Sequence, residues 1–328
     1  MNREKMNREN TIAKLERFAE QKGLSYRKIA QMIGIGQSTL SEIRKGTYKG
    51  NEEEILLKLE DLIERHKQGI KRVDFSVETD TKKRIFFTID TIKKYVASNA
   101  ANEIISSAKI AYIVGRSGIG KTHALMEYQK TYGSKIIFIT AENGDKHTTV
   151  MRKIARSMRM DTKGTTDELK ENIKERLRFT ETIIIIDEGE HLSPKVIDVI
   201  RAIADQTGIG LVIAGTDQLK HQITKNHREY EYLYSRGVTW MLLKELTIKD
   251  VDKIFRKFIQ DDMDFYEEED IVKMTSFITK EVKGSARILE NLLTMASMMA
   301  NEGENFEKTG GLITLDYLKA ASKVVNTI

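Results

Sequence analysis

At 328 residues, 40% hydrophobic and 31% charged, the chain has the composition of a soluble globular protein and the length for one to three cored domains. With no cysteine it forms neither disulfides nor thiolate zinc sites, and its apolar stretches are strand-length, far short of the roughly 20 residues of a membrane helix. The net charge of +5 is uneven: residues 1–50 hold eleven Lys or Arg against five Glu, a net of +6, so the remaining 278 residues sum to about −1.

A basic end on a neutral body points to a polyanion partner for that end, with a plain solvated helical surface as the alternative. The start of the chain is polar, so no signal peptide is expected, and the lack of cysteine fits a reducing cytoplasm. The six histidines have no ligand spacing and read as surface or core residues.

Residues 24–46, LSYRKIAQMIGIGQSTLSEIRKG, predict two helices around a glycine turn. The first runs from Tyr26 to Ile33 with Ile29, Ala30 and Ile33 inward. Gly34-Ile35-Gly36 makes the turn. The second runs from Gln37 to Lys45, with Leu40 and Ile43 buried and Gly46 ending it. The pair resembles the helix-turn-helix of phage-repressor type. That resemblance implies double-stranded DNA as a partner, with Gln37, Ser38, Thr39 and Ser41 towards base edges and Arg44, Lys45 and Lys49 free for phosphates. A helical module for protein contacts is the alternative. Residues 52–66 form an amphipathic helix with an acidic start, and the polar residues after it read as a linker.

From about residue 85 apolar strand candidates alternate with helical stretches, which predicts a parallel α/β sheet. The candidates are 110–114, 136–140, 182–187, 210–214 and 238–243. After 247 only helices are expected, the first opened by Thr247 and Asp250 in capping-box fashion.

The segment GRSGIGKT, residues 115–122, follows the first strand and precedes a helical stretch, matching G-x-x-x-x-G-K-[ST]. Gly115, Arg116, Ser117, Gly118, Ile119 and Gly120 would wrap their amides around phosphate oxygens. Lys121 would reach the β- and γ-phosphates of ATP, and Thr122 would ligate Mg²⁺. In TIIIIDEGEH, four isoleucines suit a strand buried on both faces. Asp187 at its end would hold Mg²⁺, and Glu188 would polarise the attacking water. Two acids there also fit a helix start, since Ser193 and Pro194 follow.

Three further residues complete the candidate site. Thr216 closes the strand LVIAGT and would sense the γ-phosphate, or simply turn the chain. Arg236 precedes the last strand and would act as an arginine finger on a neighbouring subunit, or form a surface salt bridge; Arg228 is its rival. Arg287 opens a helix, where a cation opposes the helix dipole, and so faces an anion.

Together these residues resemble the AAA+ ATPases, whose helical lid carries an arginine that contacts nucleotide. The expected fold is an α/β P-loop AAA+ core, a parallel sheet with flanking helices, plus an all-α N-terminal helix-turn-helix domain and a C-terminal helical lid. Expected boundaries are 1–66, a linker at 67–84, the core at 85–245 and the lid at 246–328. The whole order resembles the Mu-type B family of transposition proteins. A departure is Gly189, where many relatives place alanine; glycine in its place is expected to be tolerated in a turn. The resemblance implies an ATPase that self-associates on target DNA in the host bacterial cytoplasm and activates a partner transposase, with no membrane involved. It also makes Lys146, Arg152 and Lys153 candidates for DNA contact by the core. A transcription regulator and a helicase loader are the alternatives.

Overall fold

The computed structural model describes residues 2–21, 24–67, 71–105, 108–225, 231, 233–302, 305, 309 and 311–325. Among the described residues it divides into two compact units. One comprises Glu78–Leu246 with Gly284–Arg287; the other comprises Met1–Val77, Thr247–Lys283 and Ile288–Ile328.

The first unit holds the sheet. Its strands are β1 (Lys109–Val114), β2 (Ile136–Thr140), β3 (Ile183–Asp187), β4 (Gly210–Gly215) and β5 (Gly237–Leu242). All pairings are parallel and the order is β2-β3-β4-β1-β5. Parallel neighbours need crossover helices, and these cover both faces. Because side chains alternate along a strand, each strand feeds two cores. On one face Ile110, Tyr112, Ile184, Ile186 and Ile213 pack under α7 (His147–Ser157), α8 (Thr166–Leu177) and α9 (Pro194–Thr207). On the other, Ala111, Ile113, Ile183, Ile185 and Val212 pack under α5 (Asp80–Ala101) and α6 (Lys121–Tyr132). Each fully buried isoleucine contributes about 1.5–3 kcal/mol, so the isoleucine run of β3, all of it buried, anchors the strand from both sides.

The linker expected at 67–84 is too long. Thr79 caps α5, its Oγ1 accepting from the Lys82 N–H at 3.2 Å. Ile85, Ile89, Ile92 and Val96 then lie on one helical face and are buried against the sheet. The linker therefore ends at Thr79, and the polar residues 80–84 belong to the first turns of α5.

In the second unit, α1 (Asn2–Gln21), α2 (Tyr26–Met32), α3 (Gln37–Lys45) and α4 (Glu52–Lys67) enclose a core of Leu15, Phe18, Ile29, Leu40, Ile43, Leu59 and Ile63. The turn between α2 and α3 places Gly34 at φ +70°, and Gly46 ends α3 at φ +71° in the left-handed conformation that glycine adopts without strain. Residues 71–77 are non-helical, and Lys71 pairs with Asp262 at 3.3 Å and Asp261 at 3.6 Å. The C-terminal helices are α11 (Ile248–Phe258), α12 (Glu268–Val282), α13 (Ala286–Ala300), whose first turn belongs to the sheet unit, and α14 (Leu315–Val325). The capping box predicted at Thr247 and Asp250 is present in both directions. One short helix, α10 (Asp217–Lys225), follows β4.

Candidate nucleotide site

The site lies where β1, β3 and β4 end. β1 runs directly into residues 115–120, and α6 begins at Lys121. Gly118 and Gly120 sit at φ +79° and +93°, a region other residues enter only with strain, so the loop can curl before the helix starts. Anions are favoured there, because the first amides of α6 have no helical partners and point outward.

Lys121 is 8% exposed. Its ammonium donates to the carbonyls of Gly115 at 2.7 Å and Arg116 at 3.0 Å, which hold it over the loop. Burial pulls its pKa below the ordinary lysine range, while the carboxylates of Glu190, Asp187, Glu188 and Asp217 act against that shift, Glu190 most strongly. Thr122 donates its hydroxyl to Asp187 Oδ2 at 2.6 Å. Asp187 is 1% exposed, and its other oxygen accepts the Glu188 N–H at 2.9 Å.

This donor set fits Mg²⁺. The ion takes hard oxygen ligands and is usually held by one or two carboxylates together with substrate phosphates, not by an all-protein cage.

Glu188 sits at φ +55°, left-handed for a non-glycine residue. Such a conformation costs of order 1–3 kcal/mol and persists only where its surroundings impose it. A turn of 3₁₀-helix, Gly189–His191, follows, and α9 starts only at Pro194. A helix thus begins nearby, at Pro194, while Asp187 is turned to Thr122.

Glycine fits the 3₁₀ turn at 189, and the fold leaves no room there for a side chain. A Cβ there would lie 2.5 Å from Ile213 Cγ2, 3.1 Å from the Ala214 carbonyl and 3.4 Å from Leu219 Cδ2. Ile213 is fully buried in β4, and strand backbone cannot give way cheaply. Gly189→Ala is therefore expected to destabilise the protein by about 1–3 kcal/mol through overpacking, a fall of a few degrees in thermal midpoint. A calorimetric midpoint unchanged from wild type would refute it.

Thr216 follows β4, with its N–H on Glu190 Oε2 at 3.2 Å. Arg287 stands against the phosphate loop: its backbone N–H donates to the Gly118 carbonyl at 3.1 Å, and its guanidinium reaches Ser117 Oγ at 3.5 Å. Arg116 is exposed and pairs with Glu245. Arg236 is elsewhere. It precedes Gly237, which is in register with Ile110 at the start of β1. The phosphate loop begins at the other end of that strand, about 16 Å away at 3.3 Å per residue. Arg236 shares the Asp205 carboxylate with Arg201. Its rival, Arg228, lies outside the described residues.

In the α2–α3 pair, Gln37, Ser38, Lys45 and Lys49 are exposed and Thr39 and Ser41 half-buried. Arg44 is not free for phosphates as expected. It is bound to Glu16 at 2.9 Å and lies 3.6 Å from the Tyr26 ring centroid, so a phosphate would have to compete with both. In the sheet unit, Lys146 and Arg152 are exposed, whereas Lys153 is committed to Asp145 at 2.7 Å and to the Thr140 carbonyl at 3.0 Å.

Sequence reasoning missed Glu190. An acid three residues after Asp187 carries no sequence signal that separates it from a surface carboxylate, yet it is only 9% exposed.

Comparison with known proteins agrees with this geometry. The AAA domain family matches residues 103–223. The ATP-dependent target DNA activator B of Escherichia phage Mu is 26% identical over 322 residues, covering 96% of this chain and 95% of that protein. The Mu-like prophage FluMu DNA transposition protein B of Haemophilus influenzae is 26% identical over 291 residues, covering 85% and 93%. Among solved structures, the Aeropyrum pernix ORC2 protein in its ADP form superposes with a TM-score of 0.56 at 14% identity, over 76% of this chain and 70% of that one. Its ADPNP-ADP complexes give 0.54 at 16% identity, over 71% and 66%. The fold is thus the AAA+ P-loop fold, a parallel sheet with flanking helices, and the chain's curated homologues over most of its length are Mu-type B transposition proteins.

Proposed function

We propose that this chain is an ATP-hydrolysing, DNA-binding protein that assembles on target DNA in the bacterial cytoplasm and activates a partner transposase. The observation that carries the ATPase reading is the Thr122–Asp187 pair, 2.6 Å apart, beside a lysine fixed over its own phosphate loop. The relatives named as ATP-dependent target DNA activators span 95% of their own length in the alignment and support the rest.

Lys121 sits where it would exchange the Gly115 and Arg116 carbonyls for β- and γ-phosphate oxygens. The amides of 115–120 and the N-terminus of α6 would hold the remaining phosphate charge. Thr122 and Asp187 would hold Mg²⁺, which when bound neutralises charge on the β- and γ-phosphates. Glu188 would take the proton of the attacking water as its oxygen bonds to the γ-phosphorus, and ADP and inorganic phosphate would leave. Thr216 and Arg287 would report whether the γ-phosphate is present. ATP bound between subunits would hold an oligomer on DNA, and hydrolysis would release it.

DNA docking falls to α3 and the residues after it. The supporting features are the +6 charge of residues 1–50 and the exposure of Gln37, Ser38, Lys45 and Lys49. Each lost phosphate contact removes roughly 0.9 from the slope of log affinity against log salt. The variant Lys45→Glu with Lys49→Glu is therefore expected to bind duplex DNA more weakly and with a slope shallower by roughly 2. A wild-type slope, in fluorescence titrations across a salt series, would remove α3 as the DNA reader.

A further inference from the structure

The peptide group joining Gly215 to Thr216 is held at both ends. Its carbonyl accepts the N–H of Gly115, the first residue of the phosphate loop, at 3.1 Å. Its N–H donates to the Glu190 carboxylate at 3.2 Å. Glu190 is itself fastened: its backbone carbonyl accepts Gln222 Nε2 of α10 at 2.8 Å. Space for the carboxylate comes from Gly215, where a Cβ would stand 2.5 Å from Glu190 Oε2. A buried carboxylate is costly unless it is paired and hydrogen-bonded. Here it takes a peptide N–H of the strand end that carries Thr216.

We infer that Glu190 is a positioning residue for γ-phosphate sensing: it locks the Gly215–Thr216 peptide against the phosphate loop and so sets where the Thr216 hydroxyl stands. This rests on the reading of Thr216 as a sensor. Glu190 does not touch the reacting atoms. It acts through a charge-assisted bond to a backbone amide, which is stronger and more directional than a neutral one. Without that acceptor the peptide keeps only its Gly115 contact and can rotate about it, and a sub-ångström shift of Thr216 then falls on turnover and not on nucleotide affinity.

The test uses the full chain in four forms: Glu190→Ala, Glu190→Gln, Thr216→Ala, and Glu190→Ala with Thr216→Ala. Steady-state ATP hydrolysis gives kcat and KM, and a fluorescent ATP analogue gives affinity. Glu190→Ala is expected to lose roughly tenfold or more in kcat, the worth of a charge-assisted hydrogen bond, with KM and analogue affinity within about twofold. Glu190→Gln keeps an acceptor oxygen of the same reach and is expected to recover most of the rate. It also reports should the alanine variant fail to fold. The double variant is expected to be no slower than the worse single one, because both act on one group. Wild-type kcat in Glu190→Ala while Thr216→Ala is slow, or fully additive losses, would overturn the positioning role and leave the sensor intact. Wild-type kcat in Thr216→Ala would remove the sensor reading and this inference with it.

Discussion

Glu188→Gln is expected to bind ATP, to lose roughly 10²–10⁴ in turnover, and to stay on DNA longer than the wild-type protein. Glutamine keeps the side chain's size and leaves Thr122 and Asp187 paired, so the phosphate and Mg²⁺ ligands are undisturbed. What goes is the proposed base. The backbone at 188 is left-handed at φ +55°, which asparagine and aspartate tolerate better than longer residues, but Glu and Gln are alike in this respect. The substitution therefore tests chemistry and not the turn. Lys121→Ala is the necessary contrast, because it removes the buried ammonium that the loop carbonyls hold. It should abolish both ATP binding and ATP-dependent assembly. The measurement is the dissociation rate from labelled duplex in ATP after free protein is diluted away. Equal release rates for Glu188→Gln and wild type, with hydrolysis confirmed lost, would separate ATP turnover from disassembly. A regulator or loader role would then explain the ATPase better than transposition target activation.

The sheet was legible because its central strands β1, β3 and β4 are buried on both faces. The isoleucine runs of β2 and β3 have no polar alternation to blur them, and all five strands fall within about a residue of the expected segments. The two motifs likewise singled out Thr122 and Asp187, which the fold brings to 2.6 Å across 65 residues of chain. Contacts without a motif were not legible. Arg44 looks like a free cation at a helix end, and nothing local reveals Glu16 or Tyr26 beside it. The start of α5 was hidden because its cap, Thr79-Asp80, sits inside a polar run that continues through Arg84 before the first buried position, Ile85. The turn at Gly189 was legible but its crowding was not, because that comes from Ile213 and Leu219, two other elements. The site's phosphate-binding half is thus written in contiguous residues. Its supporting half, Glu190 with the Gly215–Thr216 peptide, exists only once β3 and β4 lie side by side.

Arg236→Ala separates two readings whose expected effects differ by orders of magnitude. As a salt bridge alone, the side chain would be worth about 1 kcal/mol or less, since the pair is partly exposed. Asp205 would not be stranded by its loss, because Arg201 and the Ala108 N–H remain on the same carboxylate. The variant should therefore fold with a near-normal thermal midpoint. As an arginine finger, it would be worth roughly 10³–10⁵ in rate by analogy with other nucleotide hydrolases. Its place at the far end of β1 from its own phosphate loop rules out action in cis without a large rearrangement, so the finger must serve a neighbouring copy. To do so the guanidinium must leave Asp205 or share it, and a partly exposed pair makes that exchange inexpensive. Arg236→Ala is then expected to bind ATP and hydrolyse it poorly. Mixing it with Lys121→Ala should restore part of the activity, because some interfaces then pair an intact loop with an intact finger. Both proteins are inactive alone for different reasons, so recovery has no source but a shared site. Absence of recovery in mixtures shown by sedimentation to co-assemble would assign Arg236 to the Asp205 pair and leave the trans contact to another arginine.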